Sequence, residues 1–140
     1  SLLSRNPEKE FLPYCQENDI AVLARWPLHK GLISGKYSTE TTFTDTVRSE
    51  WYKSDRAKEK LARKLAKVEN LKKTLTPGEE MVTAALRFVI SHPTAPVAIA
   101  GAKSPEQVAI NANAGSQLLS PDQRHQLFLG TKLKDTPAKD

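Results

Sequence analysis

A single cysteine, Cys15, in 140 residues excludes an internal disulfide framework and any cysteine-cluster metal site. A reducing, cytoplasmic compartment is the expectation that follows. Long apolar runs are also missing: none approaches the roughly 20 residues needed to cross a bilayer, so no membrane segment is expected. Residues 1 to 6 (SLLSRN) lack the basic stretch and apolar core of a secretion signal, and the opening reads as the interior of a longer unit. No G-x-G-x-x-G occurs, which argues against a Rossmann cofactor site. The run Gly31-Leu32-Ile33-Ser34-Gly35-Lys36-Tyr37-Ser38 is not a P-loop either. It has three residues between its glycines where four are required, and Tyr37 stands where the loop needs Ser or Thr.

What is present is a soluble globular composition, 39% hydrophobic and 26% charged, long enough for one domain. The formal charge of +5 is concentrated in one place. Between Lys53 and Lys73 there are nine Lys or Arg against three Asp or Glu, a surplus of six, which leaves about one net negative charge elsewhere. No aromatic stacking platform or DNA-binding motif accompanies this segment, so it reads as a solvated helix face and no nucleic-acid partner is expected.

Periodicity and caps divide the chain. Asn6-Pro7 with Glu8 and Glu10 predicts a helix start, with an end near Asn18-Asp19. Ile20 to Ala24 is a short continuous apolar run, which suits a parallel strand covered on both faces. Pro27 to Tyr37 reads as a glycine-punctuated loop, and residues 38 to 50, rich in Thr and Ser, as an irregular, mobile stretch. Ser54 to about Lys73 is an amphipathic helix with Ala57, Leu61, Leu65, Val68 and Leu71 on its apolar stripe. Thr76-Pro77-Gly78-Glu79 predicts a capping box, opening a helix that buries Met81, Ala84, Ala85, Phe88 and Val89 and stops at His92-Pro93. Pro96 to Ala100 is a second buried strand. Ser104-Pro105 opens a helix to about Ala114, and Ser120-Pro121 opens the last. Each strand follows a helix, which means α/β with parallel strands.

Several motifs in order carry a resemblance. Ala24-Arg25-Trp26-Pro27-Leu28 is followed by Gly31-Leu32-Ile33-Ser34-Gly35-Lys36-Tyr37, then by Ala85-Leu86-Arg87-Phe88-Val89, and then by Ile99-Ala100-Gly101-Ala102-Lys103-Ser104-Pro105-Glu106-Gln107 with Asn111. Over about residues 1 to 130 the chain resembles the C-terminal half of the aldo-keto reductases. The resemblance implies an α/β fold that is the C-terminal part of a (β/α)8 TIM barrel, incomplete in this chain. Residues 1 to 140 would supply roughly the last three βα units, the first cut within its strand near Ser1-Leu2-Leu3. It implies hydride transfer between NADPH and an aldehyde or ketone, with the nicotinamide cofactor as partner.

The implied cofactor-binding residues are Arg25, Trp26, Pro27, Leu28, Lys36, Gly101, Lys103, Gln107 and Asn111. Gly101 and Lys103 offer backbone amides before a capped helix, a ready anion site for the 2′-phosphate of NADP. Gln107 and Asn111 share a helix face and match residues that contact the adenosine end, and Gln107 also stands where it would complete a capping box with Ser104. Leu28 and Lys36 match pyrophosphate-side positions. Arg25 stands where the family most often has an aromatic ring stacked on nicotinamide, and Ile110 where it usually has a Glu that reads adenine. His29 reads as a solvated loop histidine.

The family's proton-donating tyrosine and its Lys, His and Asp neighbours lie on earlier strands. None matches Tyr14, Tyr37 or Tyr52, so no catalytic residue is assigned and the chain alone is expected to be inactive. The alternative reading is a non-catalytic truncated remnant or partner-binding half-barrel. In either case Val22, Ala24, Val97 and Ile99 would leave an apolar strand face seeking a missing N-terminal half or a second copy.

Overall fold

The computed structural model describes residues 1–133; the single domain expected over 1 to 140 therefore runs past them. After a 3-10 turn at Asn6–Glu8 come α1 (Phe11–Glu17), β1 (Leu23–Arg25), a 3-10 turn at Leu32–Ser34, and α2 (Thr46–Ser49). A 3-10 turn at Glu50–Tyr52 leads to α3 (Asp55–Thr74), followed by α4 (Met81–Ile90), β2 (Val97–Ile99), α5 (Pro105–Ala114) and α6 (Pro121–Gly130). The strands pair in parallel with Leu23 opposite Val97, Ala24 opposite Ala98 and Arg25 opposite Ile99. The α/β alternation is present, although the described residues are mostly helical with one two-stranded sheet. No described helix is long and apolar enough to cross a membrane.

Local chemistry explains where the elements depart from the sequence reading. Arg5 donates to Glu8 at 2.9 Å and ties the first residues into a 3-10 turn, so the α-helix begins at Phe11 without a cap from Asn6. Asp19 closes α1 in a left-handed conformation, and the Ile20 amide donates back to the Cys15 carbonyl at 2.8 Å. That bond takes Ile20 out of the expected strand, and the ladder region shifts to Leu23–Arg25. Thr76 accepts from the Glu79 amide and donates to its carboxylate at 3.0 Å, but this forms a turn ahead of the helix, which starts two residues later at Met81. The caps at Ser54, Ser104 and Ser120 form where the sequence places them, and Ser120 with Gln123 makes a complete capping box.

The principal core gathers Leu2, Ile33, Val68, Leu71, Met81, Ala84, Ala85, Phe88, Val89 and Leu127 between α3, α4 and α6. A second cluster joins Leu32 to Leu61 and Leu65 of α3. Ala24 and Ala98 pack against the principal core. The opposite sheet face carries Leu23, Arg25, Val97 and Ile99 and is open, with Leu23 67% and Val97 62% exposed. The strands are thus covered on one face only, and Ala24 belongs to the covered face, because side chains alternate along a strand.

The stretch read as irregular, residues 38 to 50, is built around Phe43, which is buried. Tyr37 meets the Phe43 ring edge-on with centroids 4.8 Å apart and Trp51 does so at 5.1 Å, while Tyr52 donates to the Thr41 carbonyl. Four aromatic rings spaced without helical or strand periodicity leave no pattern to read, yet they bury one another.

Candidate functional site

A cleft of about 770 Å³ opens at the C-terminal ends of both strands, the place where parallel α/β sheets take their ligands. Trp26, Pro27 and Leu28 reach it from the end of β1, Lys36 from the glycine-punctuated turn, Gly101 and Lys103 from the end of β2, and Gln107 and Asn111 from α5. Eight of the nine residues singled out in the sequence therefore line one space, and Ile110 lines it too.

Arg25 is the one that does not. Trp26 adopts a left-handed φ of 57°, which breaks the strand alternation and brings its ring under the Arg25 guanidinium at 3.9 Å. Lys30 approaches the same ring at 4.5 Å. Arg25 lines a separate cavity of about 370 Å³ and meets the main cleft only through the Trp26 ring it covers.

The loop after β2 is held by its own amides. Ser104 Oγ accepts from the Gln107 amide at 3.3 Å and so caps α5, whereas Gln107 Oε1 accepts from the Lys103 amide at 2.8 Å. The Lys103 amide, read as an open anion donor, is thus already engaged, and Gln107 does not bond back to Ser104 as a capping box requires. With Oε1 committed, the Nε2 group of Gln107 is the part left to donate to a ligand. Asn111 Nδ2 donates to the Gly101 carbonyl at 3.4 Å, which ties the loop to the helix a second time. A methyl at Gly101 would meet nothing within 4 Å, so the chain itself leaves this side of the cleft empty.

The facing wall comes from residues that periodicity did not single out. Asp45 caps the short α2 by accepting from the Arg48 amide at 3.0 Å and takes the guanidinium through Oδ2 at 2.7 Å. Arg48 also donates to the Tyr37 hydroxyl at 2.6 Å and lies 4.9 Å over the Phe43 ring. Desolvation opposes ionisation of Asp45, but the Arg48 amide and guanidinium outweigh it and hold the carboxyl below its ordinary range. The only sequence sign of this unit was an acid three residues before an arginine. Counting the lining, Lys30, Lys36, Arg48 and Lys103 face Asp45 and Glu80, and Asp45 is already neutralised by Arg48. The cleft carries a cation surplus.

His29 does not match its reading as a solvated loop residue. It is half-buried, and its Nε2 lies 2.9 Å from Lys64 Nζ on α3. Burial and the Lys64 charge push its pKa down from 6.5 to about 4. Among the described residues no group of three or more His, Cys, Asp or Glu is placed to hold a metal. Nor does any of the three tyrosines hydrogen-bond a lysine or histidine: Tyr37 is engaged by Arg48, Tyr52 by Thr41, and Tyr14 is 60% exposed on α1.

Comparison with known proteins agrees in direction. The model of the aldo/keto reductase family matches residues 1–130. The chain is 33% identical over 128 residues to the aldo-keto reductase YhdN of Bacillus subtilis strain 168, an alignment covering 89% of this chain and 38% of that protein. It is 28% identical over 116 residues to the uncharacterized oxidoreductase YqkF of the same organism, covering 83% of this chain and 35% of the relative. Among solved structures it superposes on the glycerol dehydrogenase AKR11B4 from Gluconobacter oxydans with a TM-score of 0.70 at 27% identity, over 99% of this chain and 44% of that one. The holo form of the aldo-keto reductase AKR11C1 from Bacillus halodurans shares the fold, with a TM-score of 0.68 at 24% identity over 94% and 40% of the two chains. The chain thus spans less than half the length of each of these proteins. Matched from its first residue to residue 130 by the family's model, this chain belongs to the aldo/keto reductase family.

Proposed function

We propose that this chain is the C-terminal part of a (β/α)8 barrel whose cleft holds the phosphate and adenosine end of NADPH, in a reductase that acts on an aldehyde or ketone. The observation that carries this reading is the convergence of Lys36, Gly101, Lys103, Gln107 and Asn111 on one cation-rich cleft at the strand ends. The residues fit a phosphate-bearing cofactor. Lysines from both walls supply charge, Gly101 leaves space, and Gln107 Nε2 is turned free by the bond that its Oε1 makes. A bound nicotinamide cofactor would supply the hydride. Lys103 and Gln107 would bind the 2′-phosphate end, Lys36 the bridging phosphates, and the Arg48–Tyr37 pair would keep the facing wall in place. Ile110 offers no acceptor to the adenine amine, so this site would grip phosphate more than base.

Proton delivery to the carbonyl falls outside these residues, since the three tyrosines of the described segment are committed elsewhere or remote from the cleft. NADPH and NADH fluorescence titrations test the reading. NADPH is expected to bind more tightly, and Lys103→Ala to cost NADPH about 1 to 3 kcal/mol while leaving NADH nearly unchanged, as removal of one charge-assisted hydrogen bond should. Equal binding of both cofactors, indifferent to Lys103→Ala, would place the phosphate elsewhere. No carbonyl reduction is expected from the chain alone, and turnover abolished by changing one of its own tyrosines would overturn that assignment.

A second reading, a partner-binding half-barrel, is favoured by one feature. Leu23, Val97 and Ile99 stand 67%, 62% and 52% exposed on the open sheet face, an apolar surface that wants a covering partner. The missing barrel strands or a second copy would serve.

A further inference from the structure

On α3, Lys60, Lys64 and Lys67 follow one another at four- and three-residue spacing and so share a stripe of the helix. Lys64 reaches His29 Nε2 at 2.9 Å, which joins the stripe to the turn after β1, where Lys30 follows directly. None of these four lysines takes part in an ion pair among the described residues. Like charges at such spacing repel one another and oppose the helix that carries them. Lys64 is half-buried at the base of the group, with Lys30, Lys60 and Lys67 as the charges that depress its ionisation after burial itself. Among the described residues no acid pairs with them.

We propose that Lys30, Lys60, Lys64 and Lys67 form a binding site for a small multivalent oxyanion of the phosphate type, seated over the contact between His29 and Lys64. Four positive charges without an ion pair among the described residues call for more than one negative charge, because a monovalent anion would leave most of the repulsion in place. The half-buried base formed by Lys64 and His29 favours a compact ligand over a polymer, which would need a broad exposed face and stacking partners that the patch lacks. The site overlaps the cleft at one residue only. Of its residues only Lys30 lines that space, while His29 lines the smaller cavity under β1. The proposal therefore stands whether or not the cleft binds a nicotinamide cofactor.

The test is calorimetric titration of the full chain with inorganic pyrophosphate at low ionic strength, beside orthophosphate, citrate and acetate. Pyrophosphate should bind most tightly and acetate should give no saturable signal. Lys60→Gln and Lys64→Gln should each weaken pyrophosphate about tenfold, as expected for loss of one charge-assisted contact. With Lys36→Gln and Lys103→Gln together, which remove two cleft lysines, the part of the pyrophosphate binding that depends on Lys60 and Lys64 should persist. By NMR, pyrophosphate should raise the His29 pKa from about 4 toward its ordinary value, whereas chloride at equal ionic strength should not. Circular dichroism of each variant separates lost binding from lost folding. Three results would each overturn the proposal: no pyrophosphate binding by the native chain, binding removed by the cleft variant and kept by the α3 variants, or a His29 response that follows ionic strength alone.

Discussion

Acid should destabilise this protein through one histidine more than through its neighbours. In the unfolded chain His29 titrates near 6.5, whereas in the fold burial and Lys64 hold it at about 4. Between those values the unfolded state binds the proton and the native state does not, so stability falls as pH drops through that window and is fully present above it. The difference is worth about 3 kcal/mol at face value. Because the ring is only half-buried, solvent screening reduces the expected loss to about 1 to 2 kcal/mol. Urea unfolding of the native chain and of His29→Gln at pH 7.5 and pH 4.5 isolates it, since carboxylates and His92 titrate in both proteins and cancel in the comparison. The native chain should lose about 1 to 2 kcal/mol more than His29→Gln over that interval. Equal losses, or a His29 pKa near 6.5 by NMR, would refute the coupling between the turn and α3.

Gly35 sits at a φ of 70°, and a methyl there would come within 3.3 Å of Met81 Sδ, so Gly35→Ala should cost about 1 to 2 kcal/mol in chemical denaturation and disturb the turn that presents Lys36. Phe88 is 1% exposed at the centre of the principal core, and Phe88→Ala should cost about 3 to 5 kcal/mol, read as a lower denaturation midpoint. If the open sheet face draws chains together, Val97→Lys should shift sedimentation toward the monomer, and an unchanged distribution would place self-association elsewhere.

The helices were legible because their information is local. α3 shows its stripe in every turn, and Ser54, Ser104 and Ser120 announce starts through bonds that span three residues. Strand β1 was displaced because a closing bond from Ile20 to Cys15 outweighs apolar composition over a span too short for periodicity to correct. Residues gathered in the cleft could be named from motifs, but not their bonding: nothing in the order of Lys103 and Gln107 reveals that one side chain occupies the other's amide. The wall of Tyr37, Asp45 and Arg48 was missed since its logic is aromatic packing across a loop. His29 was misread because its environment is made by Lys64, 35 positions away.

The placement of the two tryptophans has an optical consequence. Trp26, 46% exposed and flanked by Arg25 and Lys30, should emit like a solvated indole and be open to iodide, which the adjacent cations attract. Trp51, packed edge-on against Phe43, should emit at shorter wavelength and resist the same quencher. One emission spectrum therefore contains two separable signals, one from the strand end at the cleft and one from the aromatic segment that abuts it, and a ligand settling between them will be seen to move each in turn without any label.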